Sequence, residues 1–253
     1  MSHFIAISGK GGVGKTTISA MMIQRLITAG KKPILAIDAD PNSCLDVALG
    51  VEVTSSVGTA REEVRDASSA GGTGISKTEV LQMKINESLV ESNDFDLISM
   101  GRPEGAGCYC YANSVLKNII QALAGQYPYV VLDNEAGLEN LSRRIVTDVD
   151  ALVLVSDASN AGIRTLERLH ALAVEMKLKY SKLILVINRA RTDKPPAAAQ
   201  EVLAATGADA LYCLPYDDEV ADFAENSKSF LELSPDNVIL GQLDDLIDKY
   251  VNG

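Results

Sequence analysis

Short runs rich in Ile, Val and Leu recur along the chain at 4–7, 33–37, 95–99, 129–132, 151–155, 182–187 and 210–214. Runs this short and this continuously apolar read as strands buried on both faces, the habit of a parallel sheet. Between most of them the apolar positions take the spacing of a helix, at 16–28, 114–123, 164–176 and 197–205. The alternation predicts an α/β fold with a mostly parallel central sheet of about seven strands flanked by helices. Ligands of such sheets bind beyond the C-terminal ends of the strands, so chemistry is sought in the residues that follow each run.

Residues 55–93 break the rhythm. Ser68, Ser69, Gly71, Gly72, Thr73 and Gly74 lie between charged, helical-looking stretches at 61–65 and 79–92, which predicts a mobile surface insertion and no second domain. From 236 to 253, Val238, Ile239, Leu243, Leu246, Ile247 and Val251 share a helical face, while Asp244, Asp245 and Asp248 lie elsewhere. This predicts a C-terminal helix packed on the body, within one domain over 1–253. Against 34 Asp and Glu stand 23 Lys and Arg, a net charge of −11. Such a chain has no basic field for a phosphate backbone or an anionic bilayer, so neither a nucleic-acid nor a membrane partner is expected. No apolar stretch approaches the roughly 20 residues that span a bilayer. No basic, apolar and small-residue segments follow one another as in an export signal. Four cysteines form no disulfide framework, and the expected setting is a reducing cytoplasm.

Ser8-Gly9-Lys10-Gly11-Gly12-Val13-Gly14-Lys15-Thr16-Thr17 fits the phosphate-loop pattern G-x-x-x-x-G-K-[ST], between the first strand and the first helix. The glycines let successive backbone N–H groups turn inward around a β-phosphate, and the helix N-terminus adds its dipole. Lys15 reaches the β/γ oxygens and the Thr16 hydroxyl is placed to ligate Mg²⁺. By position, Lys10 is equally a solvated loop lysine or a cation that crosses a face-to-face dimer to the partner's nucleotide. Ala36-Ile37-Asp38-Ala39-Asp40-Pro41-Asn42 ends the second strand with two carboxylates, which hold a cation or a proton there or cap the helix that follows. Val130-Val131-Leu132-Asp133 is an apolar strand ending in Asp, the form that holds Mg²⁺ through water, and Asp133-Asn134-Glu135-Ala136-Gly137 makes a flexible switch or a plain strand-terminal turn.

The stretch from Lys10 to Thr17 resembles the deviant Walker A motif of the MinD/Mrp/nitrogenase-iron-protein class of dimerising ATPases. That resemblance implies ATP/ADP and Mg²⁺ as cofactors and a homodimer across which Lys10 works. It implies Asp40 at the attacking water and Asp38 near the Mg²⁺ shell. It also implies that the ends of the sixth and seventh predicted strands, Asn188 and Pro215, hold the adenine base through an amide and backbone groups.

Cys108 and Cys110 lie in Gly101-Arg102-Pro103-Glu104-Gly105-Ala106-Gly107-Cys108-Tyr109-Cys110-Tyr111-Ala112-Asn113. In an extended segment the two sulfurs share a face. Two thiolates clip a soft or borderline metal but cannot complete a four-ligand site, and a two-fold dimer would supply the other two. On spacing alone the pair is equally an incidental couple of small apolar fillers. Cys44 and Cys213 read as buried thiols. With Asp133 to Arg144 and the loop at Gly9, this segment resembles the CooC-type ATPases, which assist nickel insertion into carbon monoxide dehydrogenase, with close relatives serving acetyl-CoA synthase. The resemblance implies an ATP-driven dimer that holds Ni²⁺ or Zn²⁺ through both C-x-C pairs at its interface and passes nickel to an apo-enzyme of that kind. Three alternatives remain, one of them a non-catalytic nucleotide-sensing scaffold that binds ATP without releasing phosphate. The segment is also similar to the cluster-binding stretch of the nitrogenase iron protein, an electron donor, although Asn134-Glu135-Ala136 holds no cysteine where that protein has its second. A MinD/ParA-like positioning ATPase shares the loop, but it calls for a basic face or basic tail.

Overall fold

The structure, a computed structural model, describes residues 2–40, 42, 44–69, 76–101, 110–138, 148–192 and 194–251, without the side chains of 66–69 and 110–116. In chain order the elements are β1 (His3–Gly9), α1 (Lys15–Thr28), β2 (Ile34–Asp38), α2 (Leu45–Leu49), α3 (Val57–Ser69), α4 (Lys77–Glu87), β3 (Val90–Glu91), β4 (Phe95–Ser99) and α5 (Cys110–Ala124). There follow β5 (Tyr129–Ala136), β6 (Asp148–Asp157), α6 (Asn160–Glu175), β7 (Lys179–Ala190), α7 (Ala197–Thr206), β8 (Ala210–Pro215), α8 (Asp218–Glu225), a 3-10 turn (Phe230–Glu232) and α9 (Val238–Tyr250). The strands form one eight-stranded sheet in the order β3-β4-β2-β5-β1-β6-β7-β8, parallel except for the β3–β4 edge.

Each of the seven predicted strands is present. The eighth, β3, is a two-residue edge strand inside the stretch that reads as helical at 79–92. There α4 stops at Glu87, where Ser88 donates its hydroxyl to the Ile85 carbonyl at 2.8 Å, and Val90 then pairs with Leu97. A two-residue strand has no periodicity to read. Residues 70–75, the Gly-rich centre of the predicted insertion, lie outside the described residues. The stretches beside them are α3 and α4, which bury Val57, Ala60, Leu81 and Ile85.

Successive residues of a strand point to opposite faces, and here both faces are apolar. Ile5, Ile7, Ala36, Val131, Val153 and Val186 pack on one side beneath α1, α2 and α9. Ala6, Leu35, Ile37, Leu132, Leu154 and Leu185 pack on the other beneath α3 to α7. That is why the strand runs in the sequence are continuous rather than alternating. α9 buries Ile239, Leu240, Leu243, Leu246 and Ile247, while Val238, its first residue, is exposed against expectation. A bidentate pair between Arg25 of α1 and Asp244, 2.7 Å in both branches, holds α9 against α1. No helix of the described residues is long and apolar enough to cross a membrane.

Two register shifts fall on the C-terminal rim of the sheet. Between the pairs Ile7–Asp133 and Gly9–Ala136, Ser8 faces two residues, Asn134 and Glu135. Between Ile187–Cys213 and Ala190–Pro215, Asn188 and Arg189 face Leu214 alone. Both are β-bulges, the device that re-aims a side chain at a strand end. The loop from β1 to α1 lies between them.

Candidate functional site

The loop at residues 10–14 is held by close backbone approach. A Cβ on Gly9 would stand 2.3 Å from the Val155 carbonyl oxygen of β6, so only glycine lets β1 run this near its neighbour. Gly14, at φ +92°, caps α1, and a Cβ there would meet the Asn188 amide nitrogen at 2.4 Å. Gly11, Gly12 and Lys10 are exposed and Val13 is buried, so the loop presents its backbone outward from an anchored base. Lys15 is buried, and its ammonium donates to the Lys10 carbonyl at 3.3 Å. Thr16 and Thr17 follow in the first turn of α1.

Beside the loop, register brings two carboxylates together. Asp38 of β2 pairs with Asp133 of β5 across adjacent parallel strands. Asp133 accepts from the Thr16 hydroxyl at 2.6 Å and from the Ser19 hydroxyl at 3.1 Å. Burial pushes its carboxyl up to about 7, with Asp38 adding to the rise; the Thr16 and Ser19 hydrogen bonds and the Lys15 charge only partly oppose it. Asp38 is pushed up to about 6, again by burial first, against hydrogen bonds from the Leu45 and Asp40 backbone N–H groups, both at 3.0 Å. Asp40 is half-buried, and its Oδ1 accepts from the Asn42 N–H at 2.9 Å and the Asn42 amide at 3.1 Å. Two buried acids held near neutrality, beside a threonine hydroxyl and a loop lysine, are a donor set for a hard divalent cation, whose charge would restore both to their ionised forms. The residues present fit Mg²⁺.

The predicted switch is partly strand. β5 continues through Ala136, and Gly137, at φ +95°, bridges back to Gly9 by donating its N–H to the Gly9 carbonyl at 3.0 Å. The Ser8 hydroxyl donates to the Gly137 carbonyl. Asn134 is 1 % exposed and donates its amide to the Ile7 carbonyl at 3.0 Å. On the other side of the loop, the Asn188 amide donates to the Val13 carbonyl at 2.8 Å and its oxygen accepts from the Arg189 N–H at 2.9 Å. Pro215 stands in register with Ala190, two residues beyond Asn188.

Four further residues at this rim have no assigned role in the motif reading, although Ser8 and Asn134 lie within its loop and switch segments. Ser19 shares Asp133 with Thr16, three residues earlier on the same helix face, and that spacing is its sequence signal. Ser8 and Asn134 act through strand pairing, which leaves no local trace. Asp157 ends β6 beyond the apolar run; it lies below the usual carboxylate range through its Ser159 hydrogen bond, with the Lys10 and Arg189 charges adding to the effect. The metal reading of Cys108 and Cys110 falls outside what is described. Cys108 is not among the described residues, and of Cys110 only its place as the first residue of α5 is known. Among the described residues no group of three or more His, Cys, Asp or Glu could hold a metal ion. Cys213 is buried as expected, but Cys44 is exposed, at the entrance to α2, where the chain leaves the sheet.

A model of the CobQ/CobB/MinD/ParA nucleotide-binding domain matches residues 4–230. An uncharacterized ATP-binding protein of Methanocaldococcus jannaschii is 40 % identical over 256 residues, which is 98 % of each chain. The carbon monoxide dehydrogenase accessory protein CooC of Rhodospirillum rubrum is 30 % identical over 187 residues, 69 % of this chain and 70 % of its own. The septum site-determining protein MinD of Pyrococcus horikoshii, solved with Mg-ADP, shares the fold at a TM-score of 0.67 and 21 % identity over 98 % and 97 % of the two chains. Glycine loop, rim carboxylates and matched length converge: the chain belongs to the CobQ/CobB/MinD/ParA nucleotide-binding family and is an ATPase of that family.

Proposed function

We propose that this ATPase is a metallochaperone. As a homodimer it holds Ni²⁺ or Zn²⁺ cargo through Cys108 and Cys110 of both protomers, and it assists nickel insertion into carbon monoxide dehydrogenase or acetyl-CoA synthase. The observation that carries the reading is the path of the chain. The Met100 N–H donates to the Asp38 carbonyl at 2.8 Å, which holds the chain at the nucleotide rim up to Gly101, seven residues before Cys108 in the sequence, and α5 begins at Cys110. Similarity to CooC supports the same client class.

In this reading the loop N–H groups from Gly9 to Thr17 cradle the β-phosphate, and Lys15 moves from the Lys10 carbonyl to the β/γ oxygens. Thr16 and Asp133 would hold Mg²⁺, with Asp38 beside them, and the ion would supply positive charge against the phosphate oxygens. Asp40 orients a water that attacks the γ-phosphorus. A P–O bond forms as the bond to ADP breaks, and Lys10 of the opposite protomer neutralises the charge on the transferring group. Asn188 and Pro215 border the base. Gly137, tied to Gly9 and Ser8, relays the state of the loop along the switch.

The test is elemental analysis and solution size of anaerobically purified protein with ADP and with ATP, repeated on Cys108→Ala/Cys110→Ala. Four thiolates per site call for about one Ni or Zn per dimer, and the double variant should lose it while still binding ATP. Unchanged metal content in that variant removes the coordination model. A brown, iron-bearing protein makes it an iron–sulfur ATPase, and an ATP-dependent dimer without metal leaves the MinD/ParA-like reading.

A further inference from the structure

The tyrosines whose side chains are described are occupied, with one exception. Tyr127 donates to Asp96 at 2.5 Å, Tyr212 to Asp245 at 2.8 Å and Tyr250 to the Asp209 carbonyl at 3.5 Å. Tyr180 is hydrogen-bonded to His170 at 3.1 Å, and Tyr129 stacks on His3 with ring centroids 5.3 Å apart. Among the tyrosines whose side chains are described, Tyr216 alone has no such partner, and it is 57 % exposed.

Its backbone is anchored. The Tyr216 N–H donates to the Ala190 carbonyl at 3.0 Å, extending the β7–β8 pairing past the Ala190–Pro215 register, and Asp217 next to it caps α8 and accepts from Asn237 at 3.0 Å. Across this pairing lies the bulge of Asn188 and Arg189, which reaches the loop at the carbonyls of Val13 and Gly12, at 2.8 and 3.5 Å. With strands about 4.8 Å apart and a rise of about 3.3 Å per residue, the Cα of Tyr216 lies roughly 10 Å from that of Asn188.

The direction of a bound triphosphate follows from the rim. Its γ end must lie where Lys15, Thr16 and Asp133 converge, on the β5–β2 side of β1. The nucleoside then leaves the loop on the other side, over β6, β7 and β8. At the end of that path stands an exposed aromatic ring on a pinned backbone. We propose that the ring of Tyr216 is the platform on which the base of the bound nucleotide stacks. This rests on the ATPase reading of the loop and adds to it a side chain that meets the base by its π face. Every base has such a face, so Tyr216 contributes affinity for purine triphosphates alike and leaves selection among them to the groups at the base edge.

The experiment is calorimetric titration of the full chain with Mg-ATP, Mg-GTP and Mg-tripolyphosphate, a probe that lacks nucleoside. Tyr216→Ala should raise the Kd of both nucleotides about ten-fold and leave tripolyphosphate unchanged, and Tyr216→Phe should bind as the unaltered chain does. The chain has no tryptophan, so Tyr216→Trp gives a single reporter whose emission should respond to ATP and not to tripolyphosphate. Equal ATP affinity in Tyr216→Ala, or an equal response of the Trp variant to both ligands, overturns the stacking role. Failure of the unaltered chain to bind ATP or tripolyphosphate overturns the nucleotide reading beneath it.

Discussion

The rim of the sheet carries two asparagines in matching settings. Asn134 and Asn188 each sit on a β-bulge, are 1 % and 6 % exposed, and donate an amide hydrogen to a backbone carbonyl of the β1–α1 segment, Ile7 and Val13 respectively. They differ in what their oxygens do. Asn188 Oδ1 accepts from the Arg189 N–H at 2.9 Å, whereas Asn134 Oδ1 has no hydrogen-bond partner among the described residues. Their neighbours differ as well. Asn134 follows Asp133, a buried acid held near neutrality, and Asn188 precedes an exposed arginine. One side of the loop is a satisfied clamp. The other stores unfavourable desolvation and an unmatched acceptor, as a segment that must rearrange around a charged ligand requires.

Replacing Asp133 tests this contrast hardest. Asp133→Asn should cut Mg²⁺-dependent ATP hydrolysis about 10- to 100-fold, measured as phosphate release, yet stabilise the nucleotide-free protein by about 1–2 kcal/mol at pH 8. The sign follows from protonation. A carboxyl raised to about 7 binds its proton more tightly folded than unfolded, where the ordinary value is 3.8. Its contribution is therefore fully present below about pH 4 and is lost as pH rises through 7. Asp38, raised to about 6, acts in the same direction, its contribution being lost as pH rises through 6. The stability gap between Asp133→Asn and the unaltered chain should widen from pH 5 to pH 8 in denaturant titrations. A gap independent of pH would mean that the acid is not held neutral.

The clamp should break at a smaller cost. Asn188→Ala strands the Val13 carbonyl and the Arg189 N–H, and should lose about 1–3 kcal/mol in the same titrations while raising the KM for ATP. Asn134→Ala gives up one hydrogen bond but also removes an unmatched buried oxygen, so its loss should stay under about 1 kcal/mol. Equal losses at the two positions would erase the distinction between the sides of the loop.

Much of this rim is legible in sequence because it is local. The glycines of the loop, Lys15 and Thr16 lie in one strand-turn-helix unit whose spacing states its chemistry, and Asp133 is marked by the apolar run it ends. The helices at 16–28 and 197–205 show themselves by period, because one face of each is buried. Other features carry no local mark. Ser19 reads as an ordinary helical serine until β5 stands beside it. β3 is too short to have a period, and Cys44, read as a buried thiol, is exposed at the entrance to α2. Tyr216 follows a strand as any turn residue does.

A continuous apolar strand between amphipathic helices has one low-energy arrangement, a two-sided parallel sheet, because any other leaves methyl groups in water. Layer order and the place of the phosphate loop are therefore written in the pattern of the chain. Which side chains share a proton, a carbonyl or a ring is not. Asp38 meets Asp133, Gly9 meets Val155 and Asn188 meets Val13 only through strand order and register. Desolvation and hydrogen bonding fall off within a few ångströms, and sequence separation carries no information about such distances.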